Sequence, residues 1–415
     1  MNDLLQINVK KIGALFLCFC LLVMIGPPVL RLLPMEIMLH YLSLFLMILV
    51  FTLSYMQRQL VFTKQRYILA FLFFLLGVSF GLPVGGHSWT AKIFLPLLTS
   101  VFIVFFDNQV YYITFDYFRK MMIFFAASSV LLSVLLLFLP ANALPYFEME
   151  PVSAAHLNKH IIYRVYGFIL SYDTIIFAIG GFHFLRTTGP MTEPGHFGIL
   201  LGLTLSMEKL LYAKRTPILV ICGCMTFSTA FFVILVILEV YNMFIIRKFH
   251  WKWYVCAVVI LLAFLILADS VLLNAVWEYS IGRNFGVEEV NILDGRTNNT
   301  ALFIYDKFLK SSFPLLLWGH GTFALEVNEN VVLSDYREFL YDSGFIGLLL
   351  VCLTFYVIFM KVRVRYLCLF LPIIVIIFLH RAWMFWYCYL YILLIVGFGA
   401  YTYKANCGKN SILKN

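Results

Sequence analysis

Charged residues are scarce in this chain of 415 residues: only 12% are Asp, Glu, Lys or Arg, whereas 63% are hydrophobic. Water-soluble domains carry about 25% charged residues, so a soluble globular protein is excluded. The apolar runs are continuous and do not alternate with polar residues, which favours spanning helices over a transmembrane β-barrel. We therefore predict an all-α, polytopic integral membrane protein.

Motifs that hold nucleotides or zinc are also missing. The chain contains no glycine-rich P-loop and no His-Glu-x-x-His pair. Its nine cysteines lie in apolar segments or in the C-terminal tail, so no disulfide framework is predicted. ATP-driven transport by this chain alone and zinc-dependent chemistry are therefore not expected, and we predict neither a cofactor nor a metal.

Long apolar segments make up most of the chain, and we interpret them as about twelve spans. They are 12–30, 36–56, 67–84, 91–106, 120–140, 195–212, 217–228, 230–246, 252–270, 338–360, 366–380 and 384–403. Two of them are short and meet at Ser228-Thr229. These two form either a tight helical pair or a broken, partly re-entrant segment.

Lysine and arginine are concentrated in alternate loops, which predicts that both termini and the short basic loops face the cytoplasm. Two long polar stretches, 141–194 and 271–337, then lie outside, on a single transmembrane domain that covers residues 1–415. The net charge of +9 follows from this orientation. The expected surroundings are therefore membrane lipid, and no nucleic-acid partner is predicted.

The first outer loop ends in RTTGPMTEPGHFG, residues 186–198. Arg186 suits a phosphate because the planar guanidinium offers paired donors at fixed charge, and Arg164 lies upstream in the same loop. Glu193 precedes Pro194 at the start of a span, where a carboxylate also favours a helix N-terminus. Capping and a role in a site are both open for Glu193. We interpret His196 as an interfacial residue.

The second outer loop adds two fixed cations, Arg283 and Arg296, on the same side of the membrane. It also contains Gly319-His320-Gly321, in which the glycines permit close backbone approach and unusual dihedral angles. His320 has no ligand partner at zinc spacing. The loop is thus a second candidate for binding an anionic or sugar substrate.

Asp335, Tyr336, Arg337 and Glu338 lie at the mouth of the next span. Asp335 and Glu338 are three residues apart and share a helix face if the helix has begun. They are interpreted either as general acid and base or as a solvated helical turn. His380-Arg381, at the outer end of span 366–380, is interpreted as a snorkelling pair.

Three of these segments, in this order, resemble the Wzy-type O-antigen and capsule repeat-unit polymerases, which are related to the O-antigen ligases. Arg186, Gly189 and Glu193-Pro194 are similar to that family's Arg-x-x-Gly…Glu-Pro element. TFSTA follows at 226–230, and LLLWGHGTFA with SDYREFLYDSGFIGLLL is similar to the third element. The similarity covers most of residues 160–360. The ligases have a His before Asn or Ser where this chain has Leu333-Ser334, which favours a polymerase.

The resemblance implies a GT-C-like, metal-independent glycosyltransferase acting at the periplasmic face of a bacterial inner membrane. It would transfer the growing glycan from undecaprenyl diphosphate to a sugar hydroxyl of the next lipid-linked oligosaccharide. A chain-length regulator and a flippase are expected partners. Catalytic roles are implied for Glu193, Asp335 and Arg186. Substrate binding is assigned to Arg164, Arg283, Arg296, His320, Tyr336 and Arg337.

Two other functions stay open at this point. An O-antigen ligase-type transferase uses the same class of lipid donor. A flippase for lipid-linked oligosaccharides also has about twelve spans, but it is expected to show two similar halves and cations within its spans. In this chain the charges collect in two outer loops, which favours the transferase.

Overall fold

The structure is a computed structural model of the chain. It describes residues 2–28, 30, 36–81, 90–139, 143–150, 161–172, 176–179, 182–246, 299–322, 324, 335–360 and 362–412. The predicted span 252–270, the candidate residues Arg283 and Arg296, and Leu333-Ser334 lie outside the described residues.

The described chain is mostly helical, with thirteen α-helices named here. They are α1 (Asn2–Ile25), α2 (Glu36–Met56), α3 (Lys64–Gly81), α4 (Thr90–Ile103), α5 (Asn108–Phe138), α6 (Pro194–Tyr212), α7 (Pro217–Met225), α8 (Thr229–Phe244), α9 (Asn299–Leu309), α10 (Phe313–Trp318), α11 (Tyr336–Phe359), α12 (Val364–Arg381) and α13 (Tyr389–Ile412). A 3-10 turn, Ala382–Phe385, joins α12 to α13. Each predicted span that falls within the described residues overlaps one of these helices.

Five helical segments are long and apolar enough to cross a membrane: Ile37–Met56, Lys64–Gly81, Asn108–Phe138, Tyr336–Phe359 and Val364–Phe385. Apolar side chains point outward along them, and Phe45 and Phe71 are more than half exposed. Such faces are stable in contact with lipid and unfavourable in water. The class of a mostly helical membrane protein is therefore supported, as the composition predicted.

Helix α5 begins twelve residues earlier than the predicted span 120–140. Asp107 caps it, because its Oδ1 accepts a hydrogen bond from the backbone N–H of Val110 at 2.8 Å. The first turns then bury Tyr111 and Phe115 against the core. Polar residues between these apolar positions hid the helix from a search for unbroken apolar runs.

The stretch 141–194, predicted as an outer loop, contains short strands, which the all-α prediction missed. Strands β1 (Phe147–Met149), β2 (Tyr163–Tyr166) and β3 (Ile169–Ser171) form an antiparallel sheet, and β4 (Ile176–Ile179) pairs with β5 (Phe182–Leu185). A small apolar cluster joins this region to the end of α5; it includes Leu132, Leu136, Tyr163, Leu170, Tyr172 and Leu185. The strands therefore lie over one end of the helical bundle.

The main core lies between the helices, where α13 packs on α5, α3 packs on α4 and α11, and α6 packs on α8. Large aromatic side chains fill it, including the fully buried Tyr389 and Tyr391 at the start of α13 and Trp386 just before it. Most side chains from Ala382 to Tyr391 are thus held in the core. It places the end of α12 against the start of α6.

Candidate functional site

Glu193 occupies the N-cap position of α6, yet its side chain makes no capping hydrogen bond. The backbone carbonyl of Glu193 accepts from the N–H groups of His196 and Phe197 at 3.1 and 3.3 Å. Its carboxylate instead forms an ion pair with Arg381, in which Nη1 donates to Oε2. Pro194 occupies the first turn, as predicted from its fixed φ. The capping interpretation therefore holds for the backbone of Glu193 and fails for its carboxylate.

Arg381 comes from the last turn of α12, and its side chain is only 10% exposed. Its guanidinium lies against Gly195 in the first turn of α6, where an added Cβ would approach Arg381 Cζ to 2.9 Å. A snorkelling arginine extends its head group into water. The burial of Arg381 contradicts that interpretation and makes it part of the site.

Arg186 fixes the turn between α7 and α8. Its Nε donates to the carbonyl of Thr226 and its Nη2 to the carbonyl of Phe227, both at 3.2 Å. Carbonyl groups at a helix C-terminus lack partners within the helix, so a cation there is favourable. Thr187 strengthens the contact, since its N–H donates to Met225 O at 3.0 Å. The first and second segments of the resemblance are therefore in direct contact.

Gly189 and Tyr172 shape the turn that carries Arg186. Gly189 has φ of 57° and lies against the ring of Phe197, so a side chain at this position would meet both strain and a clash. The Tyr172 hydroxyl donates to Thr192 O at 3.0 Å. Burial raises the pKa of Tyr172 well above its usual range and the Glu193 carboxylate adds to the rise, while Arg186 and Arg381 oppose it. The charges of Glu193, Arg186 and Arg381 thus all affect the pKa of Tyr172.

His196 is buried and not interfacial, contrary to the sequence-based interpretation. Its Nε2 is 2.9 Å from the Tyr389 hydroxyl, and its ring packs edge-on against Trp383 with centroids 5.0 Å apart. Trp383 and Tyr387 are half-buried and meet edge to face at 5.8 Å. An aromatic wall therefore borders the Glu193–Arg381 pair.

The glycine turn 318–322 docks onto a break in α11. Gly344 has φ of 62° and ψ of −172°, which interrupts the helix and frees carbonyls that would otherwise accept within it. His320 N–H and Gly321 N–H donate to the carbonyls of Tyr341 and Asp342, both at 2.9 Å. The His320 ring stacks on Tyr341 with centroids 4.2 Å apart. Both parts of the third segment thus form one unit.

The charged residues at the start of α11 are largely buried. Asp335 caps the helix by accepting from Arg337 N–H at 2.9 Å, and its Oδ2 lies 3.6 Å from Arg337 Nη1. The Arg337 guanidinium lies 5.6 Å above the ring of Tyr336. Glu338 is only 5% exposed, so the interpretation as a solvated helical turn is wrong.

The segment between α12 and α13 connects these groups. Trp386 is fully buried, donates from Nε1 to Ser343 Oγ at 2.9 Å and stacks on Phe339 at 6.0 Å. Three residues earlier, Trp383 touches His196. The break in α11 and the start of α6 are therefore held by the same short stretch of chain, which sequence reasoning missed. The sequence feature that could have revealed this stretch is Arg381 at the end of an apolar helix, followed directly by the aromatic-rich run AWMFWYCYLY at 382–391.

The remaining sequence candidate within the described residues is Arg164, on strand β2. It lies opposite Glu148 of β1, and its guanidinium is 5.7 Å from the centre of the Tyr146 ring. The contacts that define the Glu193–Arg381 site do not include it. Within the described parts of the chain, no three His, Cys, Asp or Glu side chains are grouped so as to hold a metal ion.

The site combines two buried or half-buried arginines, a carboxylate and an aromatic wall at one end of the bundle. Such a combination suits a ligand with phosphate groups and sugar rings, because guanidinium groups bind phosphate and aromatic faces stack on sugars. Comparison with known proteins adds nothing to this: no family model, curated protein or solved structure matches the chain.

Proposed function

We propose that the protein is a membrane glycosyltransferase that polymerises lipid-linked oligosaccharide repeat units into a surface polysaccharide. The observation that carries the proposal is the meeting of segments far apart in the chain. Arg186 contacts the 226–227 turn, and Glu193 pairs with Arg381. Trp383 contacts His196, and Trp386 contacts Phe339 and Ser343, which belong to the third segment of the resemblance. A shared site accounts for the ordered resemblance better than three separate helix ends.

The proposed reaction moves a growing glycan from undecaprenyl diphosphate to a hydroxyl of the next unit. Diphosphate is a good leaving group, so the protein has mainly to hold its charge and orient the acceptor. Fixed arginines supply the charge: Arg186 here and, from the sequence, Arg283 and Arg296. Glu193 and Asp335 are the proposed catalytic carboxylates. One of them accepts the proton of the acceptor hydroxyl, and the other orients neighbouring residues of the site.

We place this site on the periplasmic side of the inner membrane. Support comes from contacts between loops that the basic-residue distribution assigns to the cytoplasm. Lys10 lies 3.1 Å from Asp107, and Lys404 donates to Leu211 O at 2.7 Å. The loops assigned to the cytoplasm thus contact one another, and the site residues lie in the loops that the same assignment puts on the periplasmic side. A flippase and a chain-length regulator are the proposed partners.

Deletion of the gene in its bacterial host tests the function. We expect the surface glycan to collapse to one repeat unit on the lipid core, resolved by gel electrophoresis of the lipopolysaccharide. Complementation by Arg186→Ala or Glu193→Ala should fail at wild-type membrane levels, while Glu239→Gln, in a pair remote from the site, should restore full length. Complete loss of surface glycan would support a ligase or a flippase instead, and an unchanged ladder would reject all three.

A further inference from the structure

The Arg381–Glu193 pair is unequal in its exposure to solvent. The Arg381 side chain is 10% exposed and the Glu193 side chain 37%. A half-exposed carboxylate regains hydration when it turns away from its partner, whereas a buried guanidinium that is left without an anion is strongly destabilised. The cation of this pair is therefore fixed, and the anion is the member that can be exchanged.

Most N–H donors of the Arg381 guanidinium have no acceptor among the described residues. A guanidinium offers five N–H groups, and among the described residues Arg381 uses Nη1 on Glu193 and makes no other hydrogen bond. Its remaining nitrogens lie against Gly195, whose missing side chain leaves the guanidinium in contact with the first turn of α6. A ligand with several acceptor oxygens would satisfy more of these donors than one carboxylate does.

The surrounding charges also favour an anion with more than one negative charge. Arg186 and Arg381 both act on Tyr172, as does Glu193. With Glu193 turned away, the two arginines and the positive end of the α6 helix dipole remain. A diphosphate ester matches this arrangement in charge and in number of acceptors.

We propose that Arg381 binds the diphosphate of a polyprenyl-linked substrate and that Glu193 is its counter-ion at rest, displaced when the substrate binds. The identity of this ligand rests on the proposed function. The exchange itself rests on the unequal burial of the pair and on the unused donors of Arg381. Displacement also removes the cation from the Glu193 carboxylate, which makes that carboxylate a stronger proton acceptor.

Farnesyl diphosphate, a short polyprenyl diphosphate, is a suitable probe for the purified full-length protein in phosphatidylcholine nanodiscs. Calorimetric titration should show Glu193→Gln binding about fivefold more tightly than wild type, because a partly exposed ion pair no longer competes. Arg381→Gln should bind at least about tenfold more weakly than wild type. The affinity of Arg381→Lys should lie between those of wild type and Arg381→Gln, since lysine keeps the charge and loses the planar guanidinium.

The Arg215–Glu239 pair provides the matched control, because its two side chains are 23% and 25% exposed and it joins other parts of the chain. Glu239→Gln should leave the affinity unchanged. Equal or weaker binding by Glu193→Gln, at a melting temperature equal to wild type, would overturn the exchange. Competition by phosphatidylglycerol as strong as by farnesyl diphosphate would assign the site to phospholipid headgroups and overturn the diphosphate assignment. Glycan length in the deletion strain is independent of this titration, so failure of one proposal does not conceal the other.

Discussion

Two carboxylates of the site occupy the same kind of position, the N-cap of a helix, and use it differently. Asp335 accepts the backbone N–H of Arg337 at 2.9 Å, whereas Glu193 leaves its helix N-terminus and pairs with Arg381. The side-chain lengths explain the difference, since Asp is among the best N-cap residues and Glu is not. Each residue can therefore be tested for capping and for chemistry separately.

For Asp335 the informative comparison is between asparagine and alanine. Asparagine caps helices as well as aspartate does but loses the ion pair with Arg337, so Asp335→Asn should be destabilised less than Asp335→Ala, which also loses the cap, worth about 1 kcal/mol. Thermal unfolding in detergent, followed by intrinsic fluorescence, measures both. Loss of glycan extension by the more stable asparagine variant would then mark the carboxylate itself as catalytic. Equal destabilisation by both substitutions would show that the cap is not the main role of Asp335.

Gly195 controls the position of Arg381, and its substitution should separate folding from function. An alanine Cβ would approach Arg381 Cζ to 2.9 Å, which forces the guanidinium away from α6. We expect Gly195→Ala to abolish glycan extension while the protein still reaches the membrane at normal levels.

Gly77→Ala in α3 is the control for a helical glycine. Its Cβ would meet Leu97 and Phe94 at 3.5 Å, an ordinary contact distance, and alanine favours helix by about 1 kcal/mol over glycine. We expect that variant to extend glycans normally. If Gly195→Ala also does so, the close contact with Arg381 is not required.

At the scale of elements, the long apolar helices were predictable, whereas their interruptions and the helices α9 and α10, within the stretch 271–337 that was predicted as a polar loop, were not. Continuous apolar runs fix where a chain enters a helix, and the predicted spans overlap the observed helices wherever both are described. The strands of 147–185 are only three or four residues long, too short for a period-two pattern to stand out. The break at Gly344 depends on a contact with residue 319, and contacts between distant residues leave no local signal.

The docking of the glycine turn onto the break in α11 gives an element-scale prediction. Gly344 has positive φ, and a Cβ there would approach Gly319 N to 2.6 Å. Gly344→Ala should therefore undock the turn, and the His320 and Gly321 amides that bond to Tyr341 and Asp342 should lose protection. Hydrogen exchange with mass spectrometry, read on peptides covering 318–322, measures this loss.

Gly167→Ala is the matched variant, because Gly167 has a similar φ of 64° but no neighbouring atom within 4 Å of the position that a Cβ would take. It tests the strain of positive φ alone, about 1 kcal/mol. Protection at 318–322 should persist in this variant. Undiminished protection in Gly344→Ala would mean that the two glycines do not hold the turn together.

At the scale of the whole molecule, the sequence led to part of the candidate site. Arg186 and Glu193 stood out because glycine, proline and charge crowd one short stretch before a span. Arg381 did not, because it is 188 residues from Glu193 and resembles any arginine at the end of an apolar helix. Only burial against α6 distinguishes it, and burial is a property of the folded chain.

The distribution of charge gives a final prediction, about the orientation of the whole protein. Basic loops meet at one end of the bundle, where Arg119 pairs with the fully buried Glu208 and donates to Thr216 Oγ1 at 3.1 Å. If this end faces the cytoplasm, as the basic residues predict, the exposed Lys214 is inside and the exposed Ser312 is outside. In a background whose native cysteines are replaced, a membrane-impermeant maleimide should label Ser312→Cys in spheroplasts. It should label Lys214→Cys only after the membrane is permeabilised. The reverse pattern would place the Glu193–Arg381 site in the cytoplasm, where a polymerase that receives flipped lipid-linked units has no substrate.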